Sequence, residues 1–145
     1  FENEHYLEKI DEIIERSLRI KKSVVEQDEK ETGLRKVLNF GHTLGHAIEA
    51  QEKMNGLYHG ECVALGMLPM CSEDVRKRLI PVLNKLNLPT TIDCDTEKIV
   101  DTMSHDKKMA GDMIFVVRVE DIGTFDITKV KFEDFSDEIK AVYKK

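Results

Sequence analysis

LRKVLNFGHTLGHAIEAQEKM, residues 34–54, opens directly after Gly33 and closes before Asn55-Gly56, and its apolar residues recur at helical spacing. At about 100° per residue, Arg35, Asn39, His42, His46 and Glu49 share an arc of roughly 80°. Val37, Phe40, Leu44, Ala47 and Ile48 fall on the opposite side, so the apolar face supplies packing and a polar stripe is left over. Solvated faces are usually built from Lys, Glu and Gln. This one carries two histidines four apart, an asparagine and an arginine, types that form sites. HxxxH spacing by itself marks either a wet helical face or a pair of imidazole ligands. Gly41 and Gly45 run along one edge of the stripe, where a neighbouring element or a ligand can approach the backbone.

Upstream, Leu7, Ile10, Ile14, Leu18 and Val25 define an amphipathic helix from about Glu4 to Lys30, with Gly33 as its stop. Downstream, a short helix is predicted to begin just after His59 and end near Pro69. Two further helices fit Ser72 to Leu86, cut by Pro81, and Thr96 to Ser104, N-capped by Asp95. Met113 to Val119 and Thr124 to Val130, on either side of Asp121-Ile122-Gly123, read as one small hairpin. A final short helix closes the chain. With no internal repeat and no low-complexity linker, the pattern predicts one mainly α domain with a small C-terminal β-hairpin.

A chain of 145 residues with 41% hydrophobic content can bury a core without disulfides or a structural metal. Acids outnumber bases by 28 to 22, which argues against nucleic-acid and anionic-membrane partners. Cys62, Cys71 and Cys94 lack CxxC spacing and read as reduced, buried thiols, which suggests a cytoplasmic protein. No apolar run approaches the roughly 18 residues of a membrane span, and no signal-peptide pattern opens the chain. It begins at Phe1 without Met, which is expected of a piece of something longer.

Single residues stand out against this background. Lys21 interrupts the stripe of Ile14, Leu18 and Val25: either its stem lies along apolar surface with the amine in water, or the amine reaches an anionic ligand. Glu31 is a helix-end carboxylate with or without a duty. His59, ahead of Gly60-Glu61, sits at a loop-to-helix junction from which a chain reversal can return it to His42, giving two imidazoles for one divalent ion. A carboxylate is then needed as third ligand. His5 and His105 read as surface residues, and Asp106-Lys107-Lys108 before Gly111 as a solvated loop that gains interest if it folds over an anion.

LNFGHTLGHAIEA, Leu38 to Ala50, followed by HGECVALGM, His59 to Met67, resembles the 3-dehydroquinate synthases. Ile20-Lys21, Val24-Val25, Asp28-Glu29, Gly33-Leu34-Arg35 and Asp106-Lys107-Lys108 with Gly111 share the likeness, which covers nearly the whole chain. The resemblance implies the helical, metal-binding C-terminal domain of a two-domain enzyme, spanning residues 1–145, whose N-terminal NAD-binding domain is absent from this chain. The activity implied is conversion of 3-deoxy-arabino-heptulosonate 7-phosphate to 3-dehydroquinate and phosphate, a step toward chorismate and the aromatic amino acids. NAD and Zn2+ or Co2+ are the cofactors it implies. By the same resemblance His42 and His59 are metal ligands, His46 and Glu31 transfer protons, and Lys21, Arg35, Asn39 and Lys107, ahead of Lys108, contact a phosphorylated sugar-acid substrate. A homodimer is implied as well.

The family's third ligand, a glutamate, and its glycine-rich NAD segment belong to a region that precedes these residues, so the chain taken alone is expected to bind metal poorly and to be inactive. After Met67 it passes quickly to Pro69 and Ser72, where many relatives have a longer helical stretch. Another sugar-phosphate cyclase of the superfamily, and the C-terminal domain of an iron-dependent polyol dehydrogenase, are the alternatives within the fold. A noncatalytic helical domain that binds a partner or stores metal is the alternative outside enzymes.

Overall fold

The computed structural model describes residues 6–52, 56–93, 95–107 and 112–143, without the side chains of residues 52, 106 and 107. His5, Cys94, Lys108 and Gly111 therefore lie outside the described residues. The elements are α1 (Ile10–Gln27), α2 (His42–Glu52), α3 (His59–Met67), α4 (Glu73–Lys85), α5 (Thr96–Lys107), β1 (Met113–Arg118), β2 (Asp126–Lys131) and α6 (Phe132–Tyr143). Short 3-10 turns at Tyr6–Lys9, Leu34–Asn39 and Leu68–Met70 complete the order, so the fold is mainly α with one antiparallel hairpin. The chain forms two compact units, residues 1–39 and 40–145.

In the first unit the predicted helix is shorter than its hydrophobic pattern, because it begins as a 3-10 turn and ends at Gln27. Leu7, Ile14 and Leu18 are exposed, and α1 has no buried residue. Lys21, placed by periodicity on a core-facing stripe, stands on the exposed surface of this helix. Along the stripe Leu7, Ile10, Ile14 and Leu18 are exposed, while Val25 is half-buried.

The long second helix predicted from Leu34 to Met54 is two elements. A 3-10 turn ends at Asn39, the chain turns at Phe40-Gly41, and α2 starts at His42. Gly41 explains the break: its φ of +78° is a left-handed conformation that side-chain-bearing residues rarely adopt. Arg35 and Asn39 consequently belong to a different element from His42 and His46.

The second unit is organised by the packing of α2 on α3. A Cβ at Gly41 would lie 2.6 Å from the Val63 carbonyl oxygen, and one at Gly45 would lie 3.0 Å from the Val63 Cα. From the other side, a Cβ at Gly66 would lie 2.0 Å from the Gly41 carbonyl oxygen. The two backbones meet at a glycine seam. Leu44, Ile48, Cys62 and Leu65, on the flanks of that seam, are fully buried. They join Ile99 and Met103 of α5, Ile114 and Val116 of β1, and Phe135 and Ile139 of α6 in one core. A smaller cluster of Ala64, Leu68 and Leu83 ties α3 to α4.

Local chemistry sets the boundaries. Ser72 caps α4 by accepting from the Val75 amide at 3.3 Å, and Asp95 caps α5 by accepting from the Glu97 amide at 3.0 Å. Pro81 does not cut α4, contrary to expectation. It sits on the exposed side, where the Lys77 carbonyl that loses its amide partner can be hydrated. Helix α5 runs past Ser104 to Lys107, so His105, exposed and 3.4 Å from Asp101, belongs to its last turn rather than to a loop. In the hairpin, Ile114 and Val116 point inward while Phe115 faces out beneath the Lys129 ammonium of the paired strand, 5.8 Å from the ring centroid.

Helix α6 is fastened by polar groups as well as by its apolar face. The Arg118 guanidinium grips Glu138 with both nitrogens, donates to the Pro69 carbonyl at 3.2 Å, and stands over the Phe135 ring. The Tyr143 hydroxyl donates to the Leu65 carbonyl of α3, and burial pushes its phenol far above the ordinary range. Cys62 and Cys71 are buried thiols outside any disulfide, as their spacing predicts, and burial raises the Cys71 thiol to about 11, which keeps it protonated and unreactive.

Gly66→Ala should destabilise the second unit by about 3 kcal/mol or more, because its Cβ meets a backbone carbonyl that cannot rotate away. Gly60→Ala, with nothing within 4 Å of the added carbon, should stay within about 1 kcal/mol of the parent. Urea unfolding of the two variants side by side tests this contrast.

Candidate functional site

In the first unit the loop after α1 is held by a single carboxylate. Asp28 Oδ1 accepts from the Thr32 amide at 2.9 Å and the Thr32 hydroxyl at 3.1 Å, and Oδ2 accepts from the amides of Gly33 at 2.8 Å and Arg35 at 2.9 Å. These donors, led by the Arg35 amide, hold the carboxyl down at about 2. The loop so formed presents Glu31 at a φ of 55°, a left-handed conformation that is rare for a residue with a side chain. Asn39 donates from Nδ2 to Glu31 Oε1 at 2.9 Å, and Arg35 Nη1 donates to the Glu29 carbonyl at 3.0 Å. Glu31 and Asn39 are thus brought into contact, Arg35 is anchored alongside them in the same loop, and Lys21 stands on the exposed surface of α1.

In the second unit three imidazoles converge. His42 is the first residue of α2, His46 follows one turn later, and His59 is the first residue of α3. Ring centroids lie 5.5 Å apart for His42 and His59, 5.7 Å for His42 and His46, and 5.6 Å for His46 and His59. Two imidazoles bound tetrahedrally to one ion at about 2.1 Å put their centroids about 5 Å apart, so this spacing suits a shared divalent metal. The position of His59 depends on Glu61, whose carboxylate reaches back to accept from the Tyr58 amide at 2.6 Å and so fixes the start of α3.

Two of the three rings have their tautomer set. His42 Nδ1 lies 3.2 Å from the Phe40 carbonyl oxygen, and His59 Nδ1 lies 3.0 Å from Glu49 Oε2. A carbonyl or an ionised carboxylate can only accept, so in both rings the proton resides on Nδ1 and the Nε2 lone pair is left for a ligand. The pair set in this way is the pair expected to bind metal. The one group among the described residues whose donor atoms all lie within 4.8 Å of one another is a different one, His46, Glu49 and His59, and it does not include His42.

Lys107 is the last residue of α5, and its side chain lies outside the described residues, as does all of Lys108. Two residues were not singled out from the sequence. Glu49 lies on the polar stripe, but its partner His59 is ten residues away across a turn. Asp28 carried a local signal, an aspartate ahead of Thr32-Gly33, the kind of side chain that closes a turn on following amides.

A family model described as 3-dehydroquinate synthase C-terminal matches residues 2–109. The chain belongs to this family. Relatives described as 3-dehydroquinate synthase include one from Clostridium beijerinckii, 38% identical over 143 residues, covering 92% of this chain and 41% of the relative. One from Streptococcus pneumoniae is 35% identical, with 92% and 41% covered, and one from Acetivibrio thermocellus is 45% identical over 122 residues, with 77% and 34% covered. The chain therefore spans about two fifths of the length of the curated relatives it matches. Among solved structures, a 2-deoxy-scyllo-inosose synthase complexed with carbaglucose-6-phosphate, NAD+ and Co2+ superposes with a TM-score of 0.75 at 24% identity, over 92% of this chain and 41% of that one, which shows a common fold. No helix among the described residues is long and apolar enough to cross a membrane.

The Asp28 anchor has a pH dependence. Its carboxyl is held at about 2 against an ordinary value of 3.8, so the order it confers is complete above pH 4 and is lost as the pH falls through 2. Amide exchange at Thr32, Gly33 and Arg35 should accelerate over that interval, and Asp28→Asn should show the faster exchange already at neutral pH.

Proposed function

We propose that this chain is the C-terminal, metal-binding helical domain of a 3-dehydroquinate synthase. The polypeptide that contains it would convert 3-deoxy-arabino-heptulosonate 7-phosphate to 3-dehydroquinate and phosphate. The observation that carries this reading is the pairing of His42 and His59, 5.5 Å apart with both Nε2 atoms left available, within a chain of this family. In this reading the preceding part of the polypeptide supplies an NAD-binding domain and a glutamate as third metal ligand. The chain alone would then be inactive, and the whole enzyme a cytoplasmic homodimer.

Two imidazole nitrogens with one carboxylate suit Zn2+ or Co2+, and His42 and His59 would hold the ion while leaving positions for substrate oxygens. When bound, the ion supplies positive charge beside the substrate's oxygens, and NAD supplies reversible hydride transfer at a ring alcohol. The remaining roles fall to this chain's side chains. His46, beside the metal pair but outside it in this assignment, would accept and return protons, with Glu31 as its partner carboxylate. Arg35 presents a planar fork suited to a carboxylate or phosphate, while Asn39, Lys21 and Lys107 would complete the grip on a phosphorylated sugar acid. The contact between Asn39 and Glu31 keeps that carboxylate oriented before substrate arrives.

His46→Ala in the full-length polypeptide should lower turnover by about 100-fold to 10,000-fold, the ordinary contribution of a general acid or base, with metal content unchanged. His42→Ala and His59→Ala should lose the metal. Retention of turnover in the first variant, or of metal in the other two, would refute the assignment. Incubating the enzyme with the heptulosonate phosphate and with glucose 6-phosphate, and identifying the carbocycle formed, distinguishes this synthase from a cyclase like the structural neighbour.

A further inference from the structure

We propose that Glu49 is a positioning residue of the metal centre, acting through His59; this rests on the reading of His59 as a ligand. Glu49 lies on α2, one turn beyond His46 and two beyond His42, directly after Ala47 and Ile48, whose burial fixes the rotation of the helix. Its Oε2 accepts from Nδ1 of His59, the first residue of α3, at 3.0 Å.

As an ion pair this contact contributes little, since the side chains of His59 and Glu49 keep 50% and 37% of their exposure and water screens the charges. Its consequence is geometric and electronic. The carboxylate fixes the ring's orientation, retains the proton on Nδ1, and raises the electron density of the Nε2 lone pair, which strengthens that nitrogen as a ligand. His42 is held in the same tautomer by the Phe40 carbonyl at 3.2 Å, a neutral acceptor, so the charged acceptor is reserved for the ligand that stands on the other helix.

Direct coordination by Glu49 is the competing arrangement, because its carboxylate lies within 4.8 Å of donor atoms on His46 and His59. The hydrogen bond to Nδ1 favours the outer position, since a carboxylate bound to the ion would give up the contact that orients the ring.

The test uses the full-length polypeptide, chelator competition with Zn2+, and the visible absorption of the Co2+-substituted protein. Glu49→Ala should weaken Zn2+ binding by about 10-fold to 100-fold, the usual effect of removing a carboxylate behind a ligating histidine. Glu49→Gln, whose amide oxygen still accepts from Nδ1, should recover part of that loss. Both should keep the parent's Co2+ band, because the coordinating atoms are the same, and the metal-free variants should unfold at the parent's temperature. Wild-type Zn2+ affinity in Glu49→Ala, or a lowered midpoint in its metal-free form, would overturn the positioning role. A shifted Co2+ band in Glu49→Gln would overturn it in favour of direct coordination. If His59→Ala itself kept metal, the underlying assignment would fall rather than the part given to Glu49.

Discussion

Backbone contact between α2 and α3 is the constraint on which the second unit depends. Two helices with ordinary side chains at their crossing stay 8–10 Å apart, whereas Gly41, Gly45 and Gly66 remove the spacers and let carbonyl oxygens and Cα atoms touch. His42 stands at the Gly41 end of α2 and His59 beside Glu49 two turns further along, so the imidazoles meet as side chains laid across this close crossing. The seam also turns Leu44, Ile48, Cys62 and Leu65 into a common core with α5, β1 and α6, so cohesion and site geometry have one origin.

The first unit solves a different problem by different means. Its helix is largely exposed and Leu34, Val37 and Leu38 are only half-buried, so the turn from Asp28 to Arg35 is held chiefly by hydrogen bonds. One carboxylate satisfies three amides and a hydroxyl, and that concentration of donors makes the left-handed backbone at Glu31 tolerable. Glu31, Arg35 and Asn39 are thereby carried on a segment organised by polar contacts, while the residues expected to hold metal stand on a packed core.

Much of this was legible in the sequence, where the signal was local. Three- and four-residue spacing located the helices, Ser72 and Asp95 marked two of their starts, and the β-branched runs around Asp121-Ile122-Gly123 marked the hairpin. The GHTLGHAIEA and HGECVALGM segments point to His42 and His59 as a pair, and the two rings lie 5.5 Å apart. What escaped was set by tertiary contact. A helical wheel cannot register that Gly41 takes a positive φ to meet Val63, so it assigns Arg35 and Asn39 to a helix that does not include them. Nor does periodicity reveal that Pro81 lies where water can serve the orphaned carbonyl, or that Glu49 faces His59.

The hydroxyl of Tyr143 reaches the Leu65 carbonyl across 78 residues, linking α6 to the helix that begins at His59. A ribosome delivers the polypeptide from its amino end, so α2 and α3 emerge long before the partner that occupies this carbonyl has been made. The Leu65 carbonyl therefore acquires this partner only once α6 has been translated.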